Sequence, residues 1–176
     1  MLAEHIKSTI RDIPDFPQKG VIFRDITPIL KDSRLCNSII LHIRNRYKDN
    51  PPDAIAAMES RGFLFGFLLA HTLQVPFIPI RKKGKLPFHK FSQSYDLEYG
   101  KAEVEIHTDA LIPGQKVMIH DDLLATGGTA KAAAQLIRKL EGKIHSFNFI
   151  VELEFLNGRD ILNLYKADVF SLVHYK

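Results

Sequence analysis

The densest chemistry in this 176-residue chain lies in the run Asp121-Asp122-Leu123-Leu124-Ala125-Thr126-Gly127-Gly128-Thr129. An apolar stretch, Val117-Met118-Ile119, precedes it and a helical pattern over 129–140 follows. Such a run exposes main-chain N–H groups at a helix N-terminus, where an anion gains unpaired donors and the positive end of the helix dipole. Gly127 and Gly128 keep side chains out of the way of a phosphate, and Thr126 and Thr129 add hydroxyl donors. The paired carboxylates in front would repel a bare phosphate. Sugar hydroxyls or a divalent cation would give them a partner, so phosphate, diol and cation together describe a ribose phosphate. A strand-to-helix turn capped by Thr129 accounts for Gly-Gly-Thr but not for the acids. A Walker-type loop is excluded, because the Gly-Lys-Ser/Thr ending is absent.

Two other segments offer anion chemistry. Glu59-Ser60-Arg61-Gly62-Phe63 follows a short apolar run; Gly62 permits a tight turn, and Arg61 can pair bidentately with phosphate oxygens. Taken alone, this pentapeptide reads better as a surface turn with a solvated arginine. Arg81, Lys82, Lys83 and Lys85 crowd around Gly84 directly after a strand pattern. A nucleic-acid or nuclear-localisation patch is the alternative reading of those cations. Their place at a ligand-bearing strand end favours a pyrophosphate, with Arg81 in contact and Lys82 and Lys85 supplying field and steering.

These groups need a scaffold to hold them. Leu2, Ile6 and Ile10 mark a first amphipathic helix, ended by Pro14 and Pro17, with a loop through Gly20. Leu35, Ile39, Ile43 and Tyr47 make a second stripe, with Asp32 or Ser33 as N-cap. Buried strands are expected at 54–58, 75–80 and 117–119, and further strands at 147–153 and 168–175. Helices are expected at 63–73 and 129–140, the latter capped by Gly142. Strand, helix, strand, twice over, predicts an α/β fold: a mostly parallel sheet with helices on both faces and ligands beyond the carboxyl ends of the strands. Between the two units, Ala102, Val104 and Ile106 alternate with Glu103, Glu105 and His107, predicting a hairpin over residues 84–107, a lid candidate.

Composition agrees with one domain over 1–176 and bounds its setting. Hydrophobic residues make up 45% and charged residues 25%, enough for a sizeable core. A single cysteine, Cys36, excludes an internal disulfide and fits a reducing compartment. The early charges Glu4, Lys7, Arg11 and Asp12 do not suit a secretory signal, and the apolar run at 63–73 is too short to span a bilayer. A cytoplasmic protein is expected, with no membrane or nucleic-acid partner. The net charge of +4 is compatible with a small anionic ligand.

An apolar strand, two acids and a short glycine-threonine loop resemble the signature of the type I phosphoribosyltransferases, and the string at 121–129 is similar to that of their adenine-specific branch. The likeness runs from about residue 10 to the C-terminus. It implies a β-hairpin hood over the active site and transfer of phosphoribosyl from phosphoribosyl pyrophosphate to adenine, giving AMP and pyrophosphate in purine salvage. It assigns the 5′-phosphate to Ala125, Thr126, Gly127, Gly128 and Thr129, and the ribose hydroxyls to Asp121 and Asp122. Ser60 and Arg61 would serve pyrophosphate, across a non-proline cis peptide at Glu59–Ser60. Phe23 would stack on the purine, main-chain groups of Ile22 and Arg24 would read its edge, and Leu123 would close the other side. Glu98 and Tyr99 fall at the hood positions associated with catalysis, alongside Arg81. Mg²⁺ is implied, held through pyrophosphate and ribose hydroxyls and with no direct protein ligand assigned; a homodimer is implied as well. Phe88, where the family commonly has glycine, and His120, where it has an apolar residue, depart from the pattern. A hypoxanthine, guanine or xanthine enzyme and a non-catalytic regulator that binds phosphoribosyl pyrophosphate are the alternatives.

Overall fold

The structure, a computed structural model, describes residues 1–96 and 101–176. The chain forms two compact units, Met1–Arg46 and Tyr47–Lys176.

In the first unit, α1 (Leu2–Thr9) buries Ile6 and stops earlier than the spacing of its apolar residues suggests. The expected loop after it is a two-stranded antiparallel ribbon instead. Strand β1 (Arg11–Pro14) pairs with β2 (Ile22–Asp25), with Asp12 opposite Arg24 and Ile13 opposite Phe23. Four-residue strands in which no two apolar residues alternate give no period-two signal, and Pro14 is tolerated because it ends its strand. Opposite charges knit the ribbon, since the Arg24 guanidinium is ion-paired with Asp12. Helix α2 (Ser33–Arg46) is capped by Asp32, whose Oδ1 accepts from the N–H groups of Arg34 and Leu35 at 2.9 and 3.0 Å. It buries Leu35, Ile39, Ile40 and Ile43, as the stripe requires.

The second unit is built on β3 (Ala54–Met58), β4 (Phe77–Lys82), β5 (Lys90–Asp96), β6 (Lys101–His107), β7 (Lys116–Leu124), β8 (Lys143–Leu153) and β9 (Asp168–Tyr175). With them come α3 (Arg61–Leu73), α4 (Gly128–Lys139) and α5 (Gly158–Asn163). The strands form one sheet in the order β5-β6-β4-β3-β7-β8-β9. The ladders from β4 through β9 are parallel, while β6 runs antiparallel to β4 and β5 antiparallel to β6. Right-handed crossovers send β3-α3-β4 one way and β7-α4-β8 the other, so α3 and α4 cover opposite faces. Side-chain placement agrees. Gly66 of α3 lies against Ala57 and His120, whereas Ala56 and Ile119 share the main core with Ala133, Leu136 and Ile137 of α4.

Strand β8 begins at Lys143 rather than at 147, and three boundaries at the crevice also differ from expectation. Strand β7 runs on through both acids to Leu124, because Asp122 is buried like its apolar neighbours and nothing breaks the ladder with β8. Strand β4 extends to Lys82, so Arg81 lies within it. Helix α3 begins at Arg61, and Gly62 is therefore a helical contact rather than a turn: a Cβ there would lie 2.9 Å from Asp121 Oδ1 and 3.2 Å from the His120 carbonyl oxygen. At the end of α4 it is Glu141 that takes the left-handed conformation, while the Gly142 N–H closes the turn on the Ile137 carbonyl at 2.9 Å.

The hairpin at 84–107 exists as β5 and β6, and it continues the sheet's edge through Arg81 opposite Glu105 and Lys82 opposite Val104. Its expected alternation is incomplete. Glu105 is buried between Val104 and Ile106, ion-paired to Lys90 at 3.1 Å and accepting from the Gly84 N–H at 3.1 Å. Among the described residues no helix is long and apolar enough to cross a membrane.

Candidate active site

The order in which strands are added reverses between the parallel neighbours β3 and β7: from this adjacent pair the sheet is built outward in both directions. The crevice beyond their carboxyl ends is therefore the topological switch point, where open α/β sheets bind ligands. Both anion-binding segments of the second unit emerge there. Glu59-Ser60-Arg61 leaves β3, and 125–129 leaves β7.

A cavity of about 210 Å³ opens at this place, lined by Arg61, Phe149 and residues 121–130. Gly127 precedes α4 with φ +82°, a left-handed conformation that only glycine adopts freely. Gly128 and Thr129 form the first turn of α4, whose free N–H groups face the loop. All of Asp121, Asp122, Leu123, Ala125, Thr126, Gly127, Gly128 and Thr129 line this one cavity, together with Arg61.

The acid pair is held in an environment unfriendly to charge. Burial is the main force raising the Asp121 carboxyl well above the usual carboxylate range, and the neighbouring Asp122 charge adds to it. Asp122 is also raised by burial, opposed by the Arg61 guanidinium, whose Nε stands 3.0 Å from Asp122 Oδ2. Arg61 thus reaches a carboxylate in this structure, and its side chain is still one-third exposed. The Asp122 N–H donates to Asp121 Oδ1 at 2.9 Å. The Glu59–Ser60 peptide is cis.

The cationic segment is tied down by carboxylates. Arg81 donates through Nε and Nη2 to Glu59 at 3.3 and 3.2 Å, and through Nη1 to the Lys85 carbonyl at 2.8 Å. The Lys82 N–H also donates to Glu59, at 2.9 Å, and the Arg81 bond is the main reason the Glu59 carboxyl is held below its usual range. Lys83 pairs with Glu103 at 2.7 Å. The side chains of Lys82 and Lys85 are exposed. Phe88 is exposed with φ +68°, so it occupies a backbone conformation that suits glycine.

In the first unit, Ile22 is exposed, Phe23 meets Phe16 edge to face with ring centroids 5.2 Å apart, and the Arg24 side chain is engaged by Asp12. Ile22 and Arg24, two apart on β2, present main-chain groups on the same strand edge. Glu98 and Tyr99 lie outside the described residues. His120 is wholly buried, with Nδ1 3.0 Å from Asn148 Oδ1; burial lowers its pKa to about 4, so the ring is a neutral core group and not a base.

Sequence reasoning missed what lies behind the loop. Gly158, at the start of α5, presses its carbonyl oxygen to within 2.6 Å of where a Gly127 Cβ would sit. The signal that could have found this region is Glu152, an acid inside an otherwise apolar strand run. A buried charge there demands a cationic partner, and Arg159 is that partner.

A doubly wound sheet with this crevice and loop is the architecture of the phosphoribosyl transferase domain, whose family model matches residues 25–162. The adenine phosphoribosyltransferase of Cytophaga hutchinsonii is 52% identical over 99% of this chain and 97% of its own length. The crystal structure of the Thermoanaerobacter pseudethanolicus adenine phosphoribosyltransferase superposes with a TM-score of 0.94 at 50% identity, covering 99% of this chain and all of that one. That of Saccharomyces cerevisiae, complexed with an imino-altritol bisphosphate and adenine, gives 0.90 at 42% identity over 97% and 98% of the two chains. The chain belongs to the adenine phosphoribosyltransferase family.

Proposed function

We propose that the protein transfers the 5-phosphoribosyl group from phosphoribosyl pyrophosphate to adenine, forming AMP and pyrophosphate. The observation that carries this reading is the cavity at the switch point, which brings a helix N-terminus, a glycine-threonine loop and an acid pair, Asp122 buried and Asp121 partly so, within reach of one ligand. The relatives' names agree with it, and the family match at 25–162 spans both compact units, which favours one functional domain.

In this reading the N–H groups at 125–129 and the hydroxyls of Thr126 and Thr129 bind the 5′-phosphate. Asp121 and Asp122 accept from the ribose hydroxyls, which fixes the sugar at C1′. Ser60, Arg61, Arg81, Lys82 and Lys85 hold and neutralise the leaving pyrophosphate, so charge developing on it meets prearranged cations. Phe23 stacks on adenine, while the Ile22 carbonyl and the Arg24 N–H read its edge. The hairpin at 84–107 acts as a hood that excludes water from a cation-like ribose, and Glu98 and Tyr99 act from it on the base or the charged ribose. Catalysis is chiefly alignment and charge stabilisation.

The donor set fits Mg²⁺. Two adjacent hard carboxylates stand at the ribose position, and among the described residues no group of three or more acidic, histidine or cysteine side chains makes a protein cage. Mg²⁺ suits one or two carboxylates plus substrate oxygens, so Asp121 and Asp122 would hold it through the ribose hydroxyls and pyrophosphate. When bound it neutralises phosphate charge. A homodimer is supported by Leu64, Phe67 and Leu68, exposed together on one side of α3; light scattering giving a monomer mass would overturn it. The reading is cytoplasmic.

The test is direct. The protein, adenine, phosphoribosyl pyrophosphate and Mg²⁺ are incubated and AMP is measured by chromatography. AMP formed only when all components are present is the expected result. AMP absent while hypoxanthine or guanine yields a nucleotide would move the protein to a sister specificity, and binding without any turnover would make it a regulator.

A further inference from the structure

The phosphate loop is not free-standing. Ideal Cβ positions show how closely it is backed: one at Gly127 would meet the Gly158 carbonyl oxygen at 2.6 Å. One at Gly158 would meet the Ala125 carbonyl oxygen at 2.1 Å and the Gly127 nitrogen at 2.9 Å. Two glycine backbones therefore touch across the gap, and no other residue type fits at either side without moving main chain. The loop that must shape itself around a phosphate is in van der Waals contact with the start of α5.

That start is itself fixed by the next residue. Arg159 donates Nε to Glu152 Oε1 at 2.9 Å, Nη2 to Oε2 at 2.5 Å, and Nη1 to the Val169 carbonyl at 2.6 Å. All three bonds fall on β8 and β9, two strands of the central sheet. Glu152 is buried and also accepts from the Ser171 hydroxyl at 2.6 Å. Burial alone would raise the Glu152 carboxyl, but the bonds from Arg159 and Ser171 hold it below its usual range, so it stays ionised and paired. A planar guanidinium bonded at three places has little freedom to pivot. The sheet thus fixes Arg159, Arg159 fixes Gly158, and Gly158 limits where Ala125 and Gly127 can go.

We infer that Gly158, Arg159 and Glu152 are positioning residues for phosphoribosyl pyrophosphate, a brace that holds the 5′-phosphate loop in its binding shape from the side away from the ligand. The inference rests on the reading of 125–129 as the phosphate site. None of the three need touch substrate. Their action is to keep the loop's N–H groups aimed before the ligand arrives, so their loss should appear as weaker binding rather than slower chemistry.

The experiment compares Arg159→Lys, which keeps the charge but loses the fork, and Gly158→Ala, which pushes directly on the loop. Asp160→Asn, exposed on the same short helix, is the control. Steady-state kinetics with adenine saturating give KM for phosphoribosyl pyrophosphate and kcat, and calorimetry gives its Kd. Each brace variant is expected to raise KM and Kd for phosphoribosyl pyrophosphate about tenfold or more, with kcat and the adenine KM within about threefold, and Asp160→Asn should match the wild type. A merely structural role predicts the opposite split, with kcat falling alongside the folded fraction and KM unchanged. Unchanged KM and Kd in a folded Arg159→Lys variant overturns the inference even if Gly158→Ala fails to fold. Wild-type protein that neither binds phosphoribosyl pyrophosphate nor forms AMP overturns the functional reading, a failure distinguishable from that of the brace.

Discussion

Lowering the pH should cost this fold stability at one identifiable residue, His120. Its ring is fully buried between β7 and α3, close to Gly66, and its Nδ1 is hydrogen-bonded to Asn148. Burial disfavours the imidazolium, and although the Asn148 bond opposes this, the pKa falls from 6.5 to about 4. The folded value lies below the unfolded one, so the neutral ring's contribution is complete above pH 6.5 and is lost as pH falls towards 4. Two-state linkage over that shift gives a loss of roughly 2–3 kcal/mol between about pH 7.5 and pH 4.5. That is a large share of the ~5–15 kcal/mol typical of a domain. The acid pair complicates the raw curve, because carboxyls raised by burial contribute in the opposite sense, with stability lost as pH rises through their folded pKa. The comparison is therefore with His120→Gln, which can still donate to Asn148 but does not titrate. Urea unfolding followed by circular dichroism at each pH gives both curves. The wild type should lose roughly 2–3 kcal/mol more than the variant over this range; parallel curves would refute the account of a histidine held neutral by burial.

Other consequences follow from the proposed site. Gly128→Val puts a branched side chain into the cavity at the phosphate loop; phosphoribosyl pyrophosphate binding should vanish in calorimetry while circular dichroism stays native, and retained affinity would remove the loop from the site. Glu98→Ala should lower kcat with KM nearly unchanged if Glu98 acts in the transition state, and wild-type kcat would return it to the status of a surface acid. Main-chain reading by Ile22 and Arg24 predicts that hypoxanthine, with donor and acceptor reversed, is disfavoured by roughly 1–3 kcal/mol per mismatched group. Arg24→Ala should keep that preference, since its side chain is already engaged by Asp12, whereas Phe23→Ala should weaken both purines. Comparable kcat/KM for adenine and hypoxanthine in Arg24→Ala would make the side chain the reader.

How much of this was legible beforehand depended on whether a residue's neighbours in sequence were also its neighbours in space. The strand at 54–58 and the strand at 168–175 have the bounds expected, because each is a self-contained apolar or alternating run between breakers. The loop at 121–129 was legible for the same reason: phosphate binding by a strand-to-helix turn is local chemistry. What failed was non-local. Asp121 and Asp122 read as loop because acids rarely continue a buried strand, yet β8 supplies their ladder and Arg61, sixty residues earlier, supplies a charge for Asp122. Strands β1 and β2 gave no pattern because their pairing rests on main-chain bonds and cross-strand charges. Arg81 was read as a pyrophosphate contact, and its bond to Glu59 on the neighbouring strand's exit left no local signal. The brace behind the loop was invisible as a whole, though Glu152 inside an apolar run was a usable warning.

The acid pair shows why such a site is not arranged for stability. Two carboxylates stand side by side with the Arg61 guanidinium within ion-pair distance of Asp122, and loss of water around both pushes them towards the protonated form. On their own they are a liability at neutral pH, since ionising them in the fold costs more than it does in the unfolded chain. Apolar residues of similar size would pack at the end of β7 without that cost. The arrangement becomes favourable only when something brings donors or positive charge to the carboxylates, and a ribose carrying a Mg²⁺-bound pyrophosphate brings both. The loop beside them has the complementary deficiency, a set of N–H groups at the start of α4 with no acceptor in the helix. One ligand that is negative at one end and hydroxyl-rich in the middle satisfies both deficiencies together. Neither a simple phosphate nor a neutral sugar does so, which is why the pairing of acids with the glycine loop points to phosphoribosyl pyrophosphate more narrowly than either element alone.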